Sequence, residues 1–258
     1  MPGALSQKKL EAAHCWLQHD EVPGLPEMTE FRRAVRYHAA MWREANGFPI
    51  GTHRVRPGTP ERLIGSQLDH EFARETGATF LTAKALAAAR GRTAFSEPHQ
   101  IFDHKSFWAD LLASPALAVN LFGDLAADLD RADRAVHNWW PDTPGRVTEV
   151  RFAHSPGRLD PSYSNSLRWF DAFFVLTFAW LEHILLLSML QHESGRWTWG
   201  RYAVVHPEGN TDVAHAVDDY RELLADDATF ASATVEKLLS AKVLAPKTTA
   251  ALRRRYLL

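Results

Sequence analysis

Asp171 is an acid within an otherwise apolar run from Trp169 to Thr177. Burying an ionised carboxylate without a partner costs several kcal/mol. Such a residue needs a metal ion, an arginine or a set of backbone donors, and Arg158 and Arg168 are the nearest arginines in sequence. Glu149 is the natural second acid. It lies in Val147 to Phe152, where Thr148, Val150 and Phe152 alternate with Val147, Glu149 and Arg151, the period of a strand. Two carboxylates converging from adjacent strands can hold Mg²⁺, which keeps several waters and takes one or two protein acids. A metal held in this way activates water and offsets phosphoryl charge. Glu149 beside Arg151 is equally well read as an exposed strand acid paired to its neighbour.

Between these two runs, His154-Ser155-Pro156-Gly157-Arg158 joins an imidazole, a hydroxyl and a guanidinium next to Asp160. Arg158 could grip a phosphate through two parallel N–H donors, with His154 and Arg151 beside it. Loops of this composition are also ordinary turns. Gln191-His192-Glu193 lies close to Arg196, Trp197 and Trp199, residue types that stack on bases and grip backbones but also cap helices and seal cores. Phe31 to Arg62 holds Arg32, Arg33, Arg36, Arg43, Arg54, Arg56 and Arg62 against Glu44 and Glu61, a positive stretch that could attract phosphates or form a solvated helix face. Cys15 and His19 stand one helical turn apart beside His14, but no second pair exists to complete a zinc site.

The chain has 258 residues, enough for a sizeable core. Its 46% hydrophobic and 23% charged residues are ordinary for a folded protein. A net charge of -2 excludes a strongly basic nucleic-acid coat protein. The single cysteine excludes an internal disulfide framework. No apolar run follows a basic start, so a cytoplasmic location is expected. Ala172 to Leu190 is long and apolar, but Glu182 and His183 sit in its middle. A buried strand followed by a buried helix fits better than a membrane span.

The elements that must position these residues are mostly helical at first. Helices are expected over Leu5 to His19, over Thr29 to Ala45, from the Thr59-Pro60-Glu61 start signal to Gly77, and over Phe80 to Arg90. Ser114-Pro115 opens a long helix with Leu117, Leu121, Leu125, Leu129, Ala132 and Val136 in one stripe. After Pro141 to Gly145 the period changes to strands over Val147 to Phe152 and Arg168 to Thr177. A helix over Phe178 to Glu193, a strand over Arg201 to His206, a helix capped by Asn210 or Thr211 and two short helices follow. Arg168 to Thr177 is apolar on both faces, as a central strand would be. The order indicates an α/β fold with a small mixed sheet. Residues 1–100 are expected to form a helical region and residues 101–258 an α/β core with C-terminal helices, as one continuous domain.

Together these features resemble a family of bacterial restriction-endonuclease-like proteins in the PD-(D/E)xK nuclease superfamily. The likeness runs through Phe31-Arg32-Arg33, Met41-Trp42-Arg43-Glu44, Asn120-Leu121-Phe122-Gly123, Glu149-Val150-Arg151-Phe152, Ser155 to Arg158, Phe170-Asp171-Ala172-Phe173, Leu190 to Glu193, His206-Pro207 and Tyr220-Arg221. It implies a restriction-endonuclease-like core and phosphodiester hydrolysis of DNA with Mg²⁺ or Mn²⁺. Asp171 matches the first metal-binding acid. The resemblance places an E-x-K between Phe174 and the helix containing Leu185, yet Val175 to Phe178 cannot supply it, and no lysine occurs between Lys105 and Lys237. The expectation is therefore a nuclease scaffold with activity impaired or absent, or a non-catalytic relative that binds DNA or a protein. Asp171 and Glu149 are the expected catalytic and metal-binding acids. Arg158, His154, Arg151 and Gln191 are the expected phosphate contacts.

Overall fold

The computed structural model describes residues 5–15, 30–53, 60–95, 97–143, 145–155, 158–159, 169–176, 187, 190–191, 199–222, 224, 226 and 228–256. In chain order the described elements are α1 (Gln7–Ala12), α2 (Glu30–Ala45), β1 (Ile50–His53), β2 (Arg62–Leu68), α3 (His70–Thr76), α4 (Ala83–Ala94), α5 (His104–Ala109), α6 (Ser114–Ala126) and α7 (Leu129–Trp139). They continue with β3 (Val147–His154), β4 (Phe170–Leu176), β5 (Tyr202–His206), α8 (Thr211–Glu222), β6 (Phe230–Thr234), α9 (Val235–Ser240) and α10 (Pro246–Arg255). The described strands pair two by two: β1 with β2 and β3 with β4 antiparallel, β5 with β6 parallel. The fold is mixed α/β, as the element order indicated.

α6 is the centre. Pro115 stands in its first turn, where a missing N–H costs nothing. Ala116, Ala118, Val119, Leu121, Phe122 and Leu125 are buried along it. Around it pack Phe80, Phe107 and Trp108, then Val136 of α7, Val147 and Phe152 of β3, and Val235, Leu238 and Leu252 from the C-terminal end of the chain.

Two polar side chains of α6 are buried with this apolar set. Asn120 accepts from the Leu81 N–H through Oδ1 at 2.8 Å, and its Nδ2 donates to the Thr79 carbonyl and the Tyr256 hydroxyl, each at 3.0 Å. Asp124 accepts from the hydroxyls of Thr82, the N-cap of α4, at 2.7 Å, and Thr248 of α10 at 2.5 Å. Gly123 lies between them. A Cβ there would come within 2.6 Å of the Ala85 Cα, so only glycine lets α4 approach this closely.

Several expected elements are redrawn. The stripe from Leu117 to Val136 is two helices. Asp128 accepts from the Arg131 N–H at 3.0 Å and so caps α7, a local alternative to continuing the helix. Leu129, which a continuous helix would bury, is 38% exposed. The helix expected from Thr59 to Gly77 is strand β2 followed by the short α3. Gly65 would weaken a helix interior by about 1 kcal/mol relative to alanine; in β2 it donates to the His14 carbonyl at 3.0 Å and receives Arg43 Nε at 3.0 Å on its own carbonyl. Strands β1 and β6 and helix α5 appear where no element was expected. α2, α8, β3, β4 and β5 lie where periodicity and caps placed them, within a few residues, and α9 and α10 are the two short closing helices. Of the helix expected over 178–193, only Leu187, Leu190 and Gln191 are among the described residues.

No helix among the described residues is long and apolar enough to cross a membrane.

Replacing Asn120 by alanine strands the Leu81 N–H and the Tyr256 hydroxyl in the core. The expected loss is about 3 kcal/mol, or roughly 6–12 °C in melting temperature for a chain of this size. Calorimetry on Asn120→Ala checks this; an unchanged melting temperature would contradict the role given to Asn120.

Candidate functional site

β3 and β4 form the hairpin that carries most of the expected site. The register sets Glu149 opposite Val175, Arg151 opposite Phe173, Phe152 opposite Ala172 and His154 opposite Phe170. Asp171 is therefore four residues along β4 from the partner of Glu149. At a rise of about 3.4 Å per residue that separation is about 14 Å along the strand. Two carboxylates sharing one Mg²⁺ each reach it at about 2.1 Å, so this register does not bring the two acids together.

Their surroundings differ as well. Asp171 lines a largely apolar cavity of about 420 Å³ with Ser114, Leu117, Phe122, Trp139 and Trp199. Burial raises its pKa above the ordinary value, and hydrogen bonds to Ser114 and Trp169 offset this only in part. Glu149 lines a different cavity. A hydrogen bond from Arg151 Nη2 at 2.7 Å, then the charge of that guanidinium, lowers its pKa against a smaller opposing effect of burial. Among the described residues no group of three His, Cys, Asp or Glu side chains could hold a metal ion. The described residues therefore do not fit a divalent metal at Asp171 and Glu149.

What the hairpin does build is a cleft of about 940 Å³. One wall is α4, with Lys84, Ala88 and Arg92. The opposite wall is β3, with Glu149, Arg151 and His154. Gly123, Ala126 and Ala127 lie between them at the end of α6. Phe95, Glu97 and His99 belong to the segment that follows α4 and also line the cleft.

Glu97 organises the polar side. His154 Nδ1 lies 2.5 Å from its Oε1, the Ser155 N–H donates to its Oε2 at 3.1 Å, and Arg158 Nη1 donates to the same oxygen. Burial pushes the Glu97 pKa up, but the hydrogen bond and charge of His154, the Arg158 hydrogen bond and the Ser155 N–H outweigh it and hold the group at about 2. An ionised Glu97 can only accept, so His154 Nδ1 donates to it, and Arg151 Nη1 lies 3.3 Å from His154 Nε2. The chain of contacts runs Glu97, His154, Arg151, Glu149.

Ala153 has φ of 46°, in the left-handed region that costs a residue with a Cβ roughly 1–2 kcal/mol. Its carbonyl receives Arg92 Nη2 at 3.0 Å and Arg158 Nη2 at 3.2 Å. Two charge-assisted donors thus meet the carbonyl of this strained residue.

The expected phosphate contacts divide accordingly. Arg151 and His154 line the cleft, and Arg151 is 41% exposed. Arg158 lines it too, but its side chain is 1% exposed and engaged by Glu97 and Ala153. Gln191 is exposed and lines neither cavity. In the arginine-rich stretch, Arg43 is buried and spent on the carbonyls of Gly65 and Phe48, while Arg54 and Arg56 lie outside the described residues. Cys15 is buried with Leu10, Ala13 and Ala40, and His19 lies outside the described residues. Lys84, Arg92, Phe95, Glu97 and His99 were not singled out from sequence. The one available signal was the dense charged and aromatic stretch directly after a helix stop, Arg90 to His99.

Comparison with protein families bears on this geometry. A model described as the PD-(D/E)XK nuclease superfamily matches the chain over residues 26–179 and 178–258. The chain belongs to the PD-(D/E)XK nuclease superfamily, whose members generally use divalent metals. No curated protein and no solved structure matches it.

The pKa of Glu97 lies below the ordinary 4.5. Its stabilising contribution is therefore complete above pH 4.5 and is lost as pH falls toward 2. Glu97→Gln leaves the buried Arg158 guanidinium without its countercharge and should cost about 3 kcal/mol at pH 7. Denaturant titrations of wild type and variant should show this gap narrowing below pH 4.5. A gap that stays constant from pH 7 to pH 3 would contradict the assignment.

Proposed function

We propose that this chain is a nuclease-scaffold protein that binds the phosphates of nucleic acid, DNA by the superfamily's precedent, in the cleft between α4 and β3, with phosphodiester hydrolysis impaired or absent. The observation that carries the binding half is the cleft lining: Lys84, Arg92, Arg151 and Arg158 against Glu97 and Glu149, with His99 and His154 alongside. Cations gathered in a concave wall attract a polyanion even when the whole chain has a net charge of -2.

Three observations support impaired hydrolysis. Asp171 and Glu149 face different cavities. No lysine lies between Lys105 and Lys237 to offset developing phosphate charge or help position water. The two stretches matched by the family model meet at residues 178–179, the junction at which the resemblance expects E-x-K. Asp171 matches the first metal-binding acid by resemblance alone, and Asp171→Ala is therefore the variant that reports on any residual cleavage.

Supercoiled plasmid incubated with the protein and Mg²⁺, Mn²⁺ or EDTA should remain uncut while a labelled DNA oligonucleotide is bound. That affinity should fall steeply between 50 and 200 mM salt, by at least about tenfold if a few phosphates are contacted. Metal-dependent cleavage lost in Asp171→Ala would overturn the impaired-hydrolysis half. Absence of salt-dependent binding by the folded protein would overturn the binding half.

A further inference from the structure

Phe95 is the residue that the phosphate reading leaves unexplained. Its side chain is 65% exposed, yet it lines the cleft beside Glu97 and His99. It is not loosely placed. Phe95 directly follows α4 as its C-cap, in an extended conformation, and its carbonyl receives Arg92 Nη1 at 2.5 Å. The same Arg92 donates through Nη2 to Ala153, so one guanidinium ties the base of the ring to the opposite wall. The result is an aromatic face on a pinned backbone, open to solvent, in a concavity whose other described lining residues include Lys84, Arg151 and His154.

We propose that the cleft takes single-stranded nucleic acid, with an unpaired base stacked on Phe95 and its flanking phosphates met by Lys84 and Arg151; this rests on the phosphate-binding reading above. A paired duplex keeps its base faces stacked inside and offers an aromatic ring only its edges and backbone. An unpaired strand offers a π-face at every nucleotide, and a basic groove with an exposed aromatic is the arrangement that exploits it. The cleft also lies within the size range of pockets that enclose a small organic group, roughly 300–1,000 Å³, so it suits an extruded base better than the broad cylinder of a helix. Stacking is tolerant of base identity, so little sequence preference is expected.

Fluorescence anisotropy with labelled oligo-dT and with the matching dT·dA duplex, in EDTA at low salt, tests this. The single strand should bind at least about tenfold more tightly than the duplex. Phe95→Ala should weaken the single strand by about 5- to 150-fold, the range for losing one stacked base, and leave duplex affinity within about twofold. Phe95→Trp should restore the single-strand affinity, and the melting temperatures of both variants should match wild type. Equal or tighter binding of the duplex, or no loss in Phe95→Ala, would overturn the inference while leaving phosphate binding intact. Failure to bind either form would overturn both.

Discussion

An amide and a carboxylate inside an apolar core are tolerated only when their donors and acceptors are met. α6 carries one of each, a helical turn apart, and the rest of the structure is arranged around meeting them. Asn120 takes its partners from the segment leading into α4 and from Tyr256 beyond α10. Asp124 takes its partners from the N-cap of α4 and from α10. Segments separated by more than 160 residues are thus bound to one helix through groups that cannot be left unpaired. Apolar packing alone would tolerate sliding; these directional contacts set a single register for α4 against α6.

From that register the cleft follows. α4 supplies one wall and then delivers Phe95, Glu97 and His99; β3, packed on α6 and α7, supplies the other. Glu97 closes the arrangement by holding His154 and Arg158 across a sequence gap of about sixty residues. Arg92 and Arg158 converge on the Ala153 carbonyl, where the backbone holds an otherwise unfavourable positive φ. Much of the positive charge is therefore committed to internal structure, and Arg151 and Lys84 are left as its more exposed members.

The parts of this fold that could be read from the chain were those governed by local rules. β3 showed its alternation, β4 its apolar run, α6 its proline start and α8 its Asn210 cap, and each forms within a few residues of its expected place. The parts that could not be read were decided by distant partners. The Thr59-Pro60 helix signal yields to a strand because β1, the His14 carbonyl and Arg43 offer Arg62 to Leu68 a better set of contacts. The helix break at Asp128 was hidden because Leu129 continues the apolar stripe on which a period argument relies. For the site, Asp171, Glu149, Arg151, His154 and Arg158 were legible as residue types on a hairpin. Their separation into two cavities was not, since it depends on the strand register. Glu97 was invisible because its partners are far away in sequence and no short motif announces it.

The floor of the cleft has a consequence of its own. Gly123, Ala126 and Ala127 belong to the same helix end whose other residues fill the core. The absence of side-chain bulk at Gly123 lets α4 settle against α6 and at the same time leaves the floor low. The bore of the cleft is therefore a by-product of helix-to-helix spacing rather than an independent feature of the surface. A change of core volume at Ala85 would therefore change the bore of the cleft without altering any residue that lines it.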